Sequence, residues 1–282
     1  MKKILMLLII VVMTAQMFAQ EATKRVPNPD ELTLAILPTY SRLEIMGMYA
    51  QIKGEIKKAT GKKVKLKVAK DFRQHLKWMN EGTVDLAFSN PVVCAQALEN
   101  VDLLVTAVVD DEPIFKGAVI VLEGSPLKEA EDCKGKKLGV VSWKSGGGYL
   151  SQYIAFMGEG IDILSDCKTK KIKAGKVNNL IKELKKGTFD AICIPCTDLA
   201  KADRIIGKGK YTKIMDGEYL PNWAVSARKD LDTSIKRKIT AAFLSLKEGS
   251  KALKKIQIDS FTPSDDSEYE PILYILEGKG VE

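Results

Sequence analysis

The segment Lys137–Tyr153 places a short apolar strand, a serine, three consecutive glycines and a helix-like stretch in direct succession. A strand that passes into a helix in this way is the start of a β-α unit of an α/β protein. The first N–H groups of a helix have no partner inside the helix and carry partial positive charge, so they can hold an oxyanion. Gly146, Gly147 and Gly148 leave the main chain open there, and Ser145 can cap the helix or donate to a ligand. The same pattern also fits a flexible turn that binds nothing.

Strands and helices alternate along the rest of the chain. A β-α-β-α-β succession begins with an apolar strand at Leu32–Leu37 and ends with one at Leu103–Val109. One of its helices is predicted over Glu44–Thr60. The chain then leaves through an apolar strand at Gly117–Leu122, builds a second β-α unit and returns through a strand at Trp223–Arg228. This order predicts an α/β protein with a mainly parallel sheet, flanked by helices, in each of two lobes.

Two extended crossovers join the predicted lobes and form a hinge. Residues 32–117 together with 222–282 are expected to build lobe 1, and residues 118–221 to build lobe 2. Ligands of such sheets bind at the carboxyl ends of the strands, where loops face a crevice. The sequence therefore predicts a binding cleft between the lobes.

The N-terminus has the order of a secretory signal peptide: two lysines, the apolar run Ile4–Met13, and small and polar residues up to Ala19. Residues 1–19 are therefore predicted to be the signal peptide, with cleavage after Ala22 as the second choice, and residues 20–31 a polar leader. The apolar run is too short to span a bilayer comfortably. The mature protein is expected to be exported and, in a bacterium with two membranes, periplasmic.

The formal net charge of +8 is distributed along predicted helices as single residues and pairs. The sequence has neither an arginine cluster nor an interleaved aromatic stripe, so nucleic-acid binding is not expected. A general positive field can attract small anions. Without residues 1–19 the 282-residue chain is still long enough for two compact lobes.

The five cysteines leave at least one thiol unpaired or intermolecular, and their pairing stays open. They are Cys94, Cys133, Cys167, Cys193 and Cys196. The C-x-x-C at the last two positions fits a redox dithiol before a helix, a small structural disulfide or a chance spacing. Because His75 is the only histidine and no second C-x-x-C is present, no zinc site, other metal or cofactor is expected. His75 also lacks a nucleophile motif nearby, so no enzyme is predicted.

Six blocks follow one another from about Leu32 to Glu277: LAILPTYSRLEIMGMYAQIKGEIKKATGKKVKL, FRQHLKWMNEGTVDLAFSNPVVCAQA, KGKKLGVVSWKSGGGYL, LKKGTFDAICI, VSARKDLDTSIKRKITAAFLSL and FTPSDDSEYEPI. In their order and spacing they resemble the phosphate/phosphite/phosphonate family of ABC-transporter substrate-binding proteins. The resemblance implies the type II periplasmic-binding-protein fold and a monomer that hands a small oxyanion to a membrane permease. Two alternatives stay open: a sensory binding protein that feeds a receptor kinase, and a thiol redox protein using Cys193 and Cys196.

The resemblance also implies where the ligand binds, and there this sequence departs from the family pattern. Ser145–Gly147 occupies the place of a Ser-Thr-Ser triplet, and Ser89 that of an aromatic hydroxyl. Lys176 replaces a histidine, while Thr197 and Trp223 replace acidic residues. Because both acidic partners of an amino group are missing in this alignment, an aminoalkylphosphonate is not expected.

Phosphate, phosphite, a phosphonate-like anion, a sulfonate or a carboxylate therefore stay open as ligands. Trp143 and Trp223 flank predicted cleft loops and suit a flat or apolar organic anion, although both also fit packing between the lobes. Tyr40 can close over the ligand or lie on the surface. A valine at Gly147 is expected to weaken binding while the fold stays intact. The predicted ligand-binding residues are Tyr40, Ser89, Asn90, Trp143, Ser145, Gly146, Gly147, Gly148, Lys176, Thr197 and Trp223.

Overall fold

A computed structural model describes residues 29–173 and 176–277 of the chain. The predicted signal peptide, its cleavage site and most of the predicted leader lie outside these residues. Within the described ranges, no helix combines the length and the apolar character needed to cross a bilayer. These residues form two main sheets and one short strand pair.

The first sheet has six strands in the order β13-β4-β12-β3-β1-β2. They are β1 (Glu31–Ile36), β2 (Lys63–Val68), β3 (Leu86–Ser89), β4 (Val101–Val108), β12 (Ala224–Arg228) and β13 (Ser260–Pro263). β1 is parallel to β2 and β3, whereas β12 is antiparallel to β3 and β4, and β13 is antiparallel to β4. Four strands therefore share one direction, and β12 and β13 run against it.

The second sheet has five strands in the order β10-β6-β9-β7-β8. They are β6 (Gly117–Leu122), β7 (Leu138–Val140), β8 (Lys170–Lys171), β9 (Ala191–Pro195) and β10 (Tyr211–Asp216). β7 is parallel to β8 and β9, and only β6 runs against its neighbours. The predicted α/β class is confirmed, but the sheets are mixed rather than mainly parallel, with four parallel and five antiparallel strand pairings in the two sheets. The reversed strands β6 and β12 are those through which the chain enters a sheet from the other one.

Between the sheets, β5 (Ile114–Phe115) and β11 (Leu220–Pro221) form an antiparallel pair. The chain passes from the first sheet to the second next to this pair and returns beside it. Ser151 ties both passages to the second sheet, because its Oγ accepts from Gly117 N at 2.8 Å and donates to Glu218 O at 2.6 Å. Below, the first lobe means the elements on the six-stranded sheet, and the second lobe those on the five-stranded sheet.

Ten α-helices surround these sheets in the described residues, and one predicted helix is split in two. At Tyr49 the backbone has φ −91° and ψ 3°, which ends one helix and starts the next, so a single helix over Glu44–Thr60 is wrong. The break buries the Tyr49 ring, whose centroid lies 5.8 Å from that of Phe88. The helices are α1 (Arg42–Met48), α2 (Ala50–Thr60), α3 (Phe72–Asn80), α4 (Pro91–Ala95), α5 (Ser151–Gly158), α6 (Val177–Lys185), α7 (Leu199–Ile205), α8 (Thr233–Leu244), α9 (Lys251–Ile256) and α10 (Glu270–Glu277).

The apolar core continues from one lobe into the other. One cluster joins Val92 and Val93 of α4 with Tyr149 and Phe156 beside the second sheet, and all four are almost fully buried. Two further clusters pack within the first and the second lobe. The shared cluster therefore connects the two sides of the cleft.

Candidate functional site

A cavity of about 450 Å³ lies between the two lobes. Its lining comes from the loop after β1, with Thr39 and Tyr40, from the turn after β7, with Ser145 and Gly146, and from the turn after β9, with Thr197. All three segments follow the carboxyl ends of strands. This is the edge of an α/β sheet at which ligands bind.

The glycine-rich turn forms one side of this cavity. Ser145 caps it, because its Oγ accepts from Gly148 N at 3.1 Å. Leu150 N donates to Ser145 O at 3.0 Å, so the first turn is wider than a regular α-helix turn. The N–H groups of Gly146 and Gly147 precede the first bonded amide, and neither has a hydrogen-bond partner among the described residues. Two unused donors therefore line the cavity.

Gln152 fixes the position of this turn. Its side chain is fully buried, and Nε2 lies 2.7 Å from Gly147 O, 3.0 Å from Ile194 O and 3.1 Å from Ala118 O. The amide thus links the turn to β6 and β9. A Cβ on Gly117 would lie 2.0 Å from Gln152 Nε2, so this position requires glycine. Sequence reasoning missed Gln152, because a glutamine in an apolar helix carries no recognisable motif.

The glycines of the turn also allow close packing. A Cβ on Gly147 would lie 2.7 Å from Phe115 Cε2 and 3.1 Å from Pro195 Cα. A Cβ on Gly146 would lie 3.1 Å from atoms of Phe115 and Pro91. A valine at Gly147 is therefore expected to lower stability as well as affinity, since its side chain would collide with the strand pair between the lobes and with the end of β9.

Asn222 adds a third unused donor to the cavity. It lines the cavity with only 5% of its surface exposed, and its Nδ2 has no hydrogen-bond partner in the described part of the chain. Its other groups are occupied: Oδ1 accepts from Trp223 N at 2.8 Å, the backbone N donates to Pro113 O, and the backbone O accepts from Tyr269 OH. Sequence reasoning predicted Trp223, the next residue, as the ligand-binding residue at this crossover.

A lysine that the sequence reasoning missed connects the lobes at the cavity. Lys201 Nζ lies 2.5 Å from Asp198 Oδ1 and 3.0 Å from Tyr40 OH, and it sits 4.5 Å from the centroid of the Tyr40 ring. Burial works to lower the pKa of Lys201, but the Asp198 carboxylate and the Tyr40 hydroxyl outweigh it and the pKa is raised. Lys201 is therefore charged, and its charge is already paired. Asp198, the residue after Thr197, also lines the cavity.

Seven of the predicted ligand-binding residues lie together at the cavity. They are Tyr40, Asn90, Ser145, Gly146, Gly147, Thr197 and Trp223. The amide of Asn90 is used within the protein, since Oδ1 accepts from Val93 N at 2.9 Å and Nδ2 donates to Lys144 O at 2.8 Å. Asn90 therefore caps α4 and bonds one lobe to the other.

The other four predicted residues do not line the cavity. The Trp143 ring packs edge-on against Tyr149, with centroids 5.1 Å apart. Of the two roles that the sequence left open for Trp143, this contact is packing and not ligand binding. The N–H of Gly148 is taken by Ser145. Lys176 precedes the first residue of α6 and lies outside the lining. Ser89 is fully buried behind the cavity wall.

Ser89 is held by the only histidine of the chain. His75 Nε2 lies 2.8 Å from Ser89 Oγ, and both residues are completely buried. Burial lowers the pKa of His75 to about 3, so the ring is neutral at ordinary pH. His75 Nδ1 has no hydrogen-bond partner among the described residues. The pair therefore belongs to the core rather than to a reactive site.

The properties of the C-x-x-C motif are the opposite of those that a reactive dithiol needs. Cys193 is fully buried in β9, and Cys196 lies in the turn that follows. Burial raises the pKa of both thiols, whereas a reactive thiol needs a lowered pKa. This geometry argues against the thiol redox alternative. All five cysteines are free thiols in the structure.

The wall opposite the glycine turn is aromatic. The rings of Tyr49, Phe88 and Trp223 follow one another, with centroid distances of 5.8 Å and 5.4 Å. All three residues line the cavity. Aliphatic side chains continue this wall: Met48, Val109, Ile256 and Ile258.

Comparison with known proteins matches residues 34–269 to a family model described as ABC transporter, phosphonate, periplasmic substrate-binding protein. This match covers most of the chain and includes every cavity segment described above. Three solved structures are similar over nearly their whole length.

One is a binding protein component of an ABC phosphonate transporter from Pseudomonas aeruginosa, with a TM-score of 0.74, 19% identity and coverage of 87% of this chain and 85% of that one. PhnD1 from Prochlorococcus marinus in complex with methylphosphonate has a TM-score of 0.77 at 16% identity, with 89% and 98% covered. A protein from Xanthomonas citri bound to ATP has a TM-score of 0.73 at 16% identity, with 90% and 100% covered. At these identities the structures establish the fold that the chain shares with them.

Proposed function

Because the chain belongs to the phosphonate family of periplasmic ABC-transporter substrate-binding proteins, we propose that its glycine turn is the site where a small oxyanion binds. The protein is a periplasmic solute-binding component of an ABC transporter, with a small anionic ligand and a membrane permease as partners. Export through the N-terminal signal peptide and a monomeric state are further parts of the proposal. A receptor kinase as the partner stays an alternative prediction.

The observation that carries the proposal is the set of unused donors around one cavity. Leaving a buried donor without a partner is unfavourable, and native proteins rarely do so. Here the N–H groups of Gly146 and Gly147 and the amide of Asn222 have no partner among the described residues, and all three residues line the same space. An oxyanion with several acceptor oxygens satisfies these donors together, and the hydroxyls of Ser145 and Thr197 stand beside them.

Contacts between the lobes support a cleft that closes on this anion. Tyr40 of the first lobe accepts from Lys201 of the second, and Asn90 of the first donates to Lys144 of the second. The β5–β11 pair lies where the chain passes between the sheets and provides a hinge. Because an anion that contacts both sides binds the closed arrangement better, it shifts the population toward that arrangement. Methylphosphonate and ATP, the ligands of two structural neighbours, are both anions.

A single substitution tests the head-group site. Asn222→Asp replaces the free amide by a carboxylate of the same shape, which removes a donor and repels an anion. Isothermal titration with methylphosphonate and with inorganic phosphate is expected to give affinities at least about tenfold weaker, since a hydrogen bond to a charged group is worth about 1.5–3 kcal/mol. Asn80→Asp makes the same change on the exposed end of α3 and serves as the control.

Equal losses in the two variants would assign the effect to overall charge rather than to the site. An Asn222→Asp protein that keeps its full affinity would contradict the proposed position of the anion. A wild-type protein that binds neither compound, nor any larger oxyanion, would contradict the proposed function itself.

A further inference from the structure

The cavity is much larger than the oxyanion that its donors can hold. Its volume of about 450 Å³ corresponds to about fifteen water molecules at ~30 Å³ each. Inorganic phosphate has only five non-hydrogen atoms. Cavities of roughly 300–1,000 Å³ typically hold organic ligands rather than bare ions. A bare oxyanion on the glycine turn would leave most of this space to water.

The space beyond the donors is bounded by the aromatic wall. Phe88 packs at 5.4 Å from Trp223 and at 5.8 Å from Tyr49, so the three rings form one continuous apolar surface. Trp223 is only partly buried. Water against such a surface is unfavourable, whereas a ring or an aliphatic body stacked on it is favourable. The wall therefore suits the non-polar part of a ligand.

The charged residues of the cavity lining also favour a ligand with a non-polar part. Asp110, Asp198 and Lys201 are the charged side chains among the described lining residues. Lys201 is the only cation of the three, and Asp198 and Tyr40 already hold its ammonium group. With no unpaired cation in this set, attraction between opposite charges contributes little to affinity. Contact between apolar surfaces then has to supply much of it.

We infer that the ligand is an organic oxyanion with a non-polar body of about the size of an aryl ring. Its charged head lies on the amides of Gly146, Gly147 and Asn222, and its body lies against Tyr49, Phe88 and Trp223. The inference rests on the proposed function for the head and adds the body to it. It makes the first lobe the part that selects among ligands with the same head.

Matched pairs of ligands test the body separately from the head. Isothermal titration of the wild-type protein compares phenylphosphonate with methylphosphonate, and benzenesulfonate with methanesulfonate. Each aryl compound is expected to bind about tenfold or more tightly than its methyl partner, because a buried ring adds a large apolar contact. The phosphonate and sulfonate pairs together show which head the donors prefer.

A variant locates the preference on the aromatic wall. Trp223→Ala is expected to bring the aryl-to-methyl affinity ratio close to one. Trp78→Ala removes an indole on α3 that is absent from the cavity lining and is expected to keep the wild-type ratio. The melting temperatures of both variants establish that they are folded, and the wild-type ratio tests the inference even where Trp223→Ala does not fold.

The outcomes separate this inference from the proposal on which it rests. Methyl compounds that bind as tightly as aryl compounds would overturn the inference and leave the oxyanion function intact. An aryl preference that survives Trp223→Ala unchanged would also overturn it, because the body would then lie elsewhere. If no compound of either pair binds and inorganic phosphate does not bind, both proposals fail.

Discussion

The two walls of the cleft are built from different parts of the chain. On the second lobe, the groups that line the cavity are backbone amides of Gly146 and Gly147, held from behind by the side chain of Gln152. On the first lobe they are the side chains of Tyr49 and Trp223. Main-chain donors remain when side chains are substituted, and the side-chain amide of Asn222 adds a third donor beside them. A wall of rings can change its ligand through single substitutions.

The two walls also differ in the contacts that support them from behind. The second wall is fixed by hydrogen bonds and by close packing at glycines, so it has almost no room for change. The first wall rests on ring contacts and on the buried His75–Ser89 pair. We therefore expect substitutions behind the second wall to cost more stability than substitutions behind the first. Three experiments test this difference, in order of decreasing effect.

The largest effect is expected for Gln152→Leu. The change keeps the size of the side chain but removes the donor shared by the carbonyls of Ala118, Gly147 and Ile194. The free energy of unfolding in urea is expected to fall by about 2–4 kcal/mol, since each buried polar group left unpaired costs about 1–3 kcal/mol. Affinity for the anion is expected to fall as well, because the turn loses its support.

Gln51→Leu on the exposed face of α2 is the matched control and is expected to change the free energy of unfolding little. A Gln152→Leu protein as stable as this control would break the comparison, since the second wall would then not depend on its polar support.

A smaller effect is expected for Gly147→Ala. Its new methyl group would lie 2.7 Å from Phe115 Cε2 and 3.1 Å from Pro195 Cα. Overpacking of this kind typically costs about 1–3 kcal/mol in the free energy of unfolding. Gly158→Ala is the control, because a Cβ there meets nothing within 4 Å. Thermal and urea unfolding should show a loss for the first variant and none for the second. Equal stabilities would show that the turn tolerates movement.

The smallest effect is expected for the change in the free energy of unfolding per pH unit that His75, behind the first wall, causes. The folded protein lowers the pKa of His75 to about 3, below its ordinary value of 6.5. Above pH 6.5 the ring is neutral in both states, and its contribution to stability is fully present. As the pH falls from 6.5 toward 3, the unfolded chain takes up a proton that the folded chain refuses. The free energy of unfolding is then expected to fall by about 1 kcal/mol between pH 6.5 and 5.5, with a slope that approaches about 1.4 kcal/mol per pH unit at lower pH.

Urea titrations at pH 6.5 and 5.5, with wild type and with His75→Gln, measure this slope. His75 is the only histidine of the chain, so the variant isolates its contribution. The wild type is expected to lose more stability over this interval than the variant. Parallel losses in the two proteins would mean that the group behind the first wall does not titrate as described.

Much of the fold was predictable because it follows from local patterns. The apolar strand predicted at Leu32–Leu37 is present as β1 (Glu31–Ile36). The strand-to-helix turn at Ser145 is also present, with the serine as its cap. The predicted helix over Glu44–Thr60 failed at Tyr49, where burial of the ring against Phe88 overrides a continuous helical pattern.

The candidate site was only partly predictable, because its donors are defined by contacts between distant residues. Trp223 N, Pro113 O and Tyr269 OH occupy the other polar groups of Asn222, so that only its Nδ2 is left as a free donor. The charge of Lys201 is paired by Asp198 on the same helix end and by Tyr40 from the other lobe. No spacing in the sequence encodes such arrangements.

The sequence alone determined the α/β alternation and the strand-to-helix glycine turn, since each depends on residues close together in the chain, and its blocks in their order showed the family. The tertiary structure alone decided what faces that turn. It brought Asn222 and the rings of Tyr49, Phe88 and Trp223 to one cavity and turned Ser89 and Trp143 into the core. The physical reason is that burial and hydrogen bonding depend on packing between segments far apart in the chain, and each side chain is left with only the partners that this packing allows.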